Sequence, residues 1–284
     1  MNVSYYPGCS LDGTAREYGE STEAVSRMLD VELKELEDWS CCGASSAHAT
    51  SDVLALALPA RNLLIADKEG TDLAVPCAAC YSRLRTAEKE LLAGKEIEGI
   101  SGKYQGNFRI KHLTDFFWED VGEKAIREKM VKTLAGISPV CYYGCLITRP
   151  PKVTDASDPD NPESMDNLMK ALGTEVKNWS YKTDCCGAGH ALTLPSVAWK
   201  LIQKLLDMAE EAGADSIVAG CPMCHSNLDS RQKEVSQVTG KEYNIPIFYF
   251  TELMGLAFGD PSVEKWLARH MVDPRPLLRQ KGLI

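Results

Sequence analysis

Leu73-Ala74-Val75-Pro76-Cys77-Ala78-Ala79-Cys80 and Ile217-Val218-Ala219-Gly220-Cys221-Pro222-Met223-Cys224 decide how this chain folds. Each is a short apolar run that stops at a C-x-x-C pair, and each is followed by a stretch of helical spacing, at 82–92 and 226–238. A short apolar run bounded in this way reads as a buried strand passing into a helix. Upstream lie two more amphipathic stretches, from Val53 to Leu64 and from Val197 to Met208. Their apolar steps of three and four predict helices, ended by Gly70 and Gly213. Thr114 and Thr251 read as N-caps, each followed by an acidic residue suited to a first turn. Strands alternating with helices predict parallel α/β units. The C-x-x-C pairs then sit at the carboxyl edge of a sheet, where open α/β folds bind ligands.

The pattern is written twice. Cys9, Cys41, Cys42, Cys77 and Cys80 form one set, and Cys145, Cys185, Cys186, Cys221 and Cys224 the other. Each doublet is followed by Gly-Ala, and 35 residues separate doublet from pair in both sets. Tyr6-Pro7-Gly8-Cys9 matches Tyr142-Tyr143-Gly144-Cys145, Leu113-Thr114-Asp115 matches Phe250-Thr251-Glu252, and 123–131 matches 264–272. A period of about 140 residues is too long for a solenoid. The expectation is therefore an α/β fold of two duplicated parallel α/β (Rossmann-like) domains in a pseudo-twofold relation, spanning 1–136 and 137–284. The copies differ between the first cysteine and the doublet, where 32 residues become 40. Part of the excess is an acidic, proline-containing surface loop at 155–162.

With 284 residues and 44% apolar composition, the chain can bury a substantial core. A net charge of −9 argues against a general nucleic-acid binder. No apolar run reaches the roughly 18 residues of a membrane span. The opening MNVSYYPGCS lacks the basic and apolar regions of a signal peptide, so a cytoplasmic location is expected. Thiols there stay reduced, and eleven cysteines leave one over, which argues against a disulfide framework.

A structural zinc takes four ligands, and so does a cubane iron–sulfur cluster. Five thiols per set exceed both. Adjacent cysteines in extended backbone point apart, which suits two irons of a larger cluster better than one metal. Iron–sulfur leads on spacing, with zinc and thiol redox chemistry left open. His48, His190 and His225 lie near the cysteines in sequence, and His190 and His225 are the candidates for a ligand or proton-donor role. Cys141, outside the repeat, reads as a buried thiol.

These residues carry a resemblance. Through Tyr5-Tyr6-Pro7-Gly8-Cys9-Ser10, both CCGA doublets, both C-x-x-C pairs and CYYGC…RP at 141–150, the chain resembles the cysteine-rich CCG-domain proteins. Over its whole length it is similar to the B subunits of heterodisulfide reductases from methanogenic archaea. Lactate-utilisation and glycolate-oxidase iron–sulfur subunits and thiol:fumarate reductase carry the same domain. The resemblance implies two non-cubane [4Fe-4S] clusters on the two five-cysteine sets, with zinc in one half left open by spacing. It implies reduction of the coenzyme M–coenzyme B mixed disulfide to two thiols, in methanogenesis, with one sulfur engaged at each cluster. The implied partners are the reductase's iron–sulfur C subunit, its electron-bifurcating flavoprotein A subunit, and a hydrogenase or formate dehydrogenase in the wider complex. No closely spaced ferredoxin-type cysteine run occurs, which fits electrons arriving from a separate protein.

On that reading His190 and His225 are candidate proton donors. Arg149, Lys152 and Lys182, with Arg83 and Arg231, are candidates for the substrate's anionic groups because they flank the cysteine loops. Two alternatives stand beside it. One is a CCG-type electron-transfer subunit of a lactate/glycolate-type oxidoreductase, and the other is a zinc scaffold that docks redox partners. The segment 273–282 reads as an extended tail.

Overall fold

The computed structural model describes the backbone of residues 1–284 and every side chain except that of Ser45. Seven strands form two sheets, and all neighbouring strands run parallel. In the first, β1 (Asn2–Tyr5), β2 (Glu32–Glu35), β3 (Leu73–Val75) and β4 (Ile110–His112) lie in the order β2-β1-β3-β4. In the second, β5 (Pro139–Tyr142), β6 (Ser216–Ala219) and β7 (Ile247–Tyr249) lie in the order β5-β6-β7. The segment 175–177 runs beside β5 as β2 runs beside β1. The amides of Glu175 and Lys177 donate to the carbonyls of Ile137 and Pro139 at 2.8 and 2.7 Å. The chain thus forms two similarly sized α/β regions with parallel sheets.

The two apolar runs that precede the C-x-x-C pairs are β3 and β6, and every residue of both is buried. Parallel strands covered on both faces need such continuous apolar runs rather than an alternating pattern. Helix Asp52–Glu69 begins where Ser51 Oγ accepts the Leu54 N–H at 3.2 Å and ends at Gly70 in the left-handed region. Helix Pro195–Glu211 starts with proline in its first turn and stops just before Gly213 at φ +73°.

Two expectations are corrected. Thr114 and Thr251 are not N-caps, because strand passes into helix without a loop and the caps fall two residues earlier. His112 Nδ1 accepts the Thr114 N–H at 3.3 Å, and the Glu252 carboxylate accepts the Tyr249 N–H at 2.9 Å. The segment 273–282 is not an extended tail. It forms helix Arg275–Gln280, anchored by fully buried Leu278, and Lys132 Nζ donates to the Leu283 carbonyl at 2.6 Å. Apolar side chains in this segment supply the docking energy that composition alone does not reveal.

The two regions share one apolar core. Helix Arg16–Met28 of the first packs on helix Phe250–Phe258 of the second, where Ser21 Oγ and Thr251 Oγ1 lie 2.7 Å apart. Tyr18 stacks on Tyr249 with ring centroids 4.2 Å apart and planes 3° apart. The Tyr18 hydroxyl donates to two carbonyls, Pro76 and Gly220, each at 3.2 Å. These residues immediately precede Cys77 and Cys221, so one buried proton ties the ends of β3 and β6 together. Tyr18→Phe is expected to leave both acceptors short of a partner and to cost about 1–3 kcal/mol. Urea unfolding of the variant checks this, and an unchanged midpoint would remove the tie. Among the described residues no helix is long and apolar enough to cross a membrane.

Candidate metal centre

Every cysteine of the repeat sits at or beyond the carboxyl end of a parallel strand or of the segment beside it. Cys9 follows β1 and opens a short helix, Cys9–Asp12, while Cys145 follows β5. Cys77 caps helix Ala78–Leu92 and Cys80 lies in its first turn. Cys221 and Cys224 hold the same places on helix Pro222–Ser230. The doublets sit in loops just before Gly43 and Gly187, both left-handed at φ +80° and +81°. A side chain at either would collide: a Cβ on Gly43 would lie 2.7 Å from Ala47 Cβ, and one on Gly187 2.9 Å from Ala198 Cα. The glycine of each CCG motif is therefore a steric requirement of the turn.

All eleven cysteines are free thiols. In the first set Cys9 and Cys41 Sγ are 3.8 Å apart, and Cys42 and Cys80 Sγ 3.4 Å apart. In the second, Cys186 and Cys224 Sγ are 3.7 Å apart, and Cys145 lies beside Cys185, each shifting the other's titration. Each set has a buried floor, made of the second doublet cysteine and both C-x-x-C thiols, beneath a more open lip. The glycines before Cys9 and Cys145 complete the cradles. At φ +74° and +70°, a Cβ would come within 2.9 Å of Cys80 Sγ at Gly8 and 2.8 Å of Cys224 Sγ at Gly144.

The surroundings divide the thiols, lowering some toward the thiolate, the form that binds metal, and raising their neighbours. Cys42 is held down to about 7, first by its contact with Cys80, against burial, with help from the Ala44 N–H and the charge of Arg83. Cys185 is held down to about 6, first by Cys145, with the Gly187 N–H and His190 adding. Cys186 and Cys221 are both lowered first by Cys224, the C-x-x-C partner of Cys221. Cys9, Cys77, Cys80, Cys145 and Cys224, each buried or beside another thiol, are raised. Five convergent free thiols, backbone N–H groups aimed at sulfur, and a glycine where a Cβ would strike sulfur all fit an iron–sulfur ligand set.

The sets adjoin. Cys77 and Cys221 lie close enough across the boundary between the regions for each thiol to shift the other's titration. Beside them opens a cavity of about 190 Å³. It is lined by all five cysteines of the second set and, from the first region, by Ala44, Ala78, Ala79 and Arg83.

The other sequence candidates spread widely. His190 is exposed beside Cys185, and His48 is exposed on helix Ala44–Thr50. His225 is buried: its Nε2 donates to the Ile247 carbonyl at 2.9 Å, and its ring stacks on Tyr249 at 3.9 Å. Burial first, and then His270, push it well below the usual histidine range, so it is neutral with its ring proton already engaged. A proton-donor role for His225 finds no support in this placement. Lys182 is also buried, with Nζ 2.9 Å from Asp166 and 3.0 Å from the Pro162 carbonyl, so its charge is matched inside the fold rather than offered to a ligand. Arg149 pairs with Asp160, Arg231 pairs with Glu234 at 2.9 Å, and Lys152 is exposed. Cys141 is fully buried within β5, as its apolar flank predicts.

Sequence reasoning missed Tyr18, and it missed Glu252 and His270, which join His225 in a buried group whose candidate ligand atoms lie within 4.8 Å of one another. His270 Nε2 and Glu252 Oε1 are 2.9 Å apart, which accounts for the group as an acid–base pair. The match of Thr251-Glu252 with Thr114-Asp115 was the one signal at hand.

Fold and site together define a parallel α/β protein that presents two five-thiol centres. Comparison with known proteins gives the family. The model of the CCG cysteine-rich domain matches residues 3–85 and 140–229, and the chain belongs to that family. It is 30% identical over 280 residues to the 8-methylmenaquinol:fumarate reductase membrane anchor subunit of Wolinella succinogenes, covering 96% of this chain and 98% of that one. It is 28% identical over 268 residues to the B subunit of the ferredoxin/F420H2-dependent CoB-CoM heterodisulfide reductase of Methanosarcina acetivorans, covering 90% and 89%. Lactate utilization protein A 2 of Bacillus cereus is 23% identical over 256 residues, covering 89% and 98%. Among solved structures, a hypothetical protein from Helicobacter pylori superposes with a TM-score of 0.72 at 11% identity. That match covers 96% of this chain and 52% of the other, and it concerns the fold. The chain is thus a CCG-domain redox protein related both to heterodisulfide reductase B subunits and to lactate-utilization proteins.

Proposed function

We propose that this chain is the catalytic subunit of a heterodisulfide reductase, reducing the coenzyme M–coenzyme B mixed disulfide at paired non-cubane [4Fe-4S] clusters. The observation that carries the reading is the juxtaposition of the two thiol sets, with Cys77 beside Cys221 across the boundary between the regions. Cleaving a disulfide takes two electrons and two protons and releases two thiols. Clusters held by Cys9, Cys41, Cys42, Cys77 and Cys80 and by Cys145, Cys185, Cys186, Cys221 and Cys224 would supply those electrons one at a time. Two centres side by side suit a substrate with two sulfurs. The buried floor keeps water from the inner thiols, while the more exposed lip, at Cys9, Cys41 and Cys185, leaves each centre open to substrate. His190, exposed beside Cys185, is placed to hand a proton to a departing thiolate. Arg149 and Lys152 remain as outer anion contacts.

The reading extends to architecture and partners. Regions 1–136 and 137–284 are copies of one unit in a pseudo-twofold relation. The electrons come from iron–sulfur and flavoprotein partners, in a cytoplasmic complex. Similarity to a menaquinol:fumarate reductase subunit and to a lactate utilization protein, neither named for a disulfide, supports a second reading, a CCG-type electron-transfer subunit of a lactate/glycolate-type oxidoreductase.

Anaerobic iron, zinc and labile-sulfide quantification tests both, followed by electron paramagnetic resonance with and without the heterodisulfide. We expect about eight irons and eight sulfides per chain, as two four-iron clusters require, and a new signal when the disulfide is added. Clusters with no response would favour electron transfer alone. About two zincs without sulfide would remove both readings.

A further inference from the structure

A tyrosine stands three residues before the first cysteine of each set, Tyr6 before Cys9 and Tyr142 before Cys145. Both are fully buried, each against a tryptophan, Trp39 and Trp179. Each hydroxyl reaches the residue through which the chain enters its doublet. Tyr6 Oη donates to the Ser40 carbonyl at 2.8 Å, and Tyr142 Oη donates to the Asp184 carbonyl at 2.7 Å. Those carbonyls share their peptide planes with the amides of Cys41 and Cys185, so holding the oxygen fixes the plane at the doublet's entrance. The left-handed glycines Gly43 and Gly187 fix its exit. Burial first, and then the surrounding cysteines, push both phenols up, so each stays a donor.

The two braces are unequal. In the first region fully buried Asn62 adds a second grip. Its Nδ2 donates to the Ser40 carbonyl at 2.8 Å, and its Oδ1 accepts the Ser40 N–H at 2.9 Å. The place that matches Asn62 in the second copy holds Leu206, which can do neither. Among the described residues Tyr142 is the one donor to the Asp184 carbonyl, and the Asp184 N–H reaches the Tyr181 carbonyl at a long 3.4 Å. The Asp184 carboxylate meets Lys204 at 2.9 Å, but that lysine is exposed, where such a pair holds little.

We infer that Tyr6 and Tyr142 are positioning residues that set the doublet cysteines of their centres, and that the second centre, braced by Tyr142 alone, is the more labile of the two. This rests on the iron–sulfur reading of the thiol sets and is independent of the substrate. Cys41 and Cys185 both stand at the exposed lip, so exposure does not separate the centres and the braces do. Losing the Tyr6 hydroxyl leaves the Ser40 carbonyl with Asn62. Losing the Tyr142 hydroxyl leaves the Asp184 carbonyl with no donor in the fold, at the cost of an unmade hydrogen bond. One substitution at two matching sites should therefore act unequally. A doublet that shifts at Cys185 opens its centre first, to a chelator or to an incoming thiol.

The test follows metal release from wild-type holoprotein, Tyr6→Phe, Tyr142→Phe and the double variant Tyr6→Phe with Asn62→Leu, once iron and labile sulfide have been measured in each. Anaerobic transfer of iron to bathophenanthroline gives the rates, and electron paramagnetic resonance gives the signature of each centre. Wild type should release iron in two phases. Tyr142→Phe should speed the faster phase by about 5- to 30-fold, the effect of one hydrogen bond, and alter one signal only. Tyr6→Phe should barely move the slower phase until Asn62→Leu is added, which should speed it by a similar factor. A general loss of stability would instead speed both phases together and disturb both signals. A single phase in wild type, no effect of Tyr142→Phe, or equal effects of the two phenylalanine variants overturns the inference. If Tyr142→Phe does not fold, the wild-type phases and the Tyr6 variants decide. If wild type holds zinc without sulfide, the iron–sulfur reading fails by itself, and zinc release to a colorimetric chelator then decides the braces in the same way. A chain that holds neither metal overturns both.

Discussion

Gly144→Ala is expected to strip the second metal centre while leaving the first. Gly144 sits at φ +70°, where an L side chain costs about 1–2 kcal/mol. The larger penalty is local, because the new Cβ would lie 2.8 Å from Cys224 Sγ, closer than such atoms approach. Cys224 cannot swing freely, since it is buried in the first turn of its helix and bonded to Cys186. The thiol must leave the position from which it would hold metal. Iron and labile sulfide should therefore fall to about half the wild-type content, since metal binding and site geometry are linked. Far-UV circular dichroism should stay native. Gly189→Ala is the control: a Cβ there meets nothing within 4 Å, so metal content should not change. Gly8→Ala should deplete the first centre in the same way, its Cβ lying 2.9 Å from Cys80 Sγ. Full metal content in both cradle variants would show that the thiols do not hold metal in the geometry described.

The features legible in the sequence were those written locally. A buried run, a C-x-x-C pair and a helical stretch are contiguous, so β3 and β6 with their helices could be read without tertiary knowledge. The doublet glycines were visible as a repeat, although the clash that requires them was not. Residues whose roles depend on distant partners stayed hidden. Nothing near Lys182 announces that Asp166 will bury it, and nothing near Tyr18 points to Gly220, some 200 residues away. Arg83 was one basic residue among several beside the cysteine loops. Only the fold shows that Arg149, Arg231 and Lys182 have acidic partners while Arg83 faces the cavity. His225 was drawn to the site by its place beside Cys224, but helix geometry sends its ring into the core. Local pattern thus located the thiols, whereas the pairing of charges is a tertiary property.

Raising the pH should loosen the interface between the regions through a pair that no motif announced. The side chains of His270 and Glu252 are wholly inaccessible, and Nε2 lies 2.9 Å from Oε1. Burial alone would lower the histidine. The Glu252 carboxylate outweighs it, with Asp229 and Glu17 adding, and His270 is pushed up to about 9. The unfolded histidine titrates near its ordinary 6.5. A folded value above the unfolded one means that the contribution is complete below about 6.5, declines as pH rises, and is gone once pH passes through 9. The difference corresponds to about 3 kcal/mol, or roughly 6–12 °C in the thermal midpoint for a chain of this size. Glu252→Gln removes the carboxylate from a buried cation and also alters the acceptor for the Tyr249 N–H that starts helix Phe250–Phe258. It should cost about 3–5 kcal/mol at pH 7. The cost should shrink toward pH 10, where wild type has already lost the charge interaction. Thermal midpoints of both holoproteins at pH 6, 7, 8 and 10 provide the check. Thiols such as Cys42 and Cys185 titrate in the same range in both proteins, so the difference between the two curves isolates the pair. A constant difference across that range would mean that His270 is already neutral at pH 7, and that Glu252 acts there only as a helix cap.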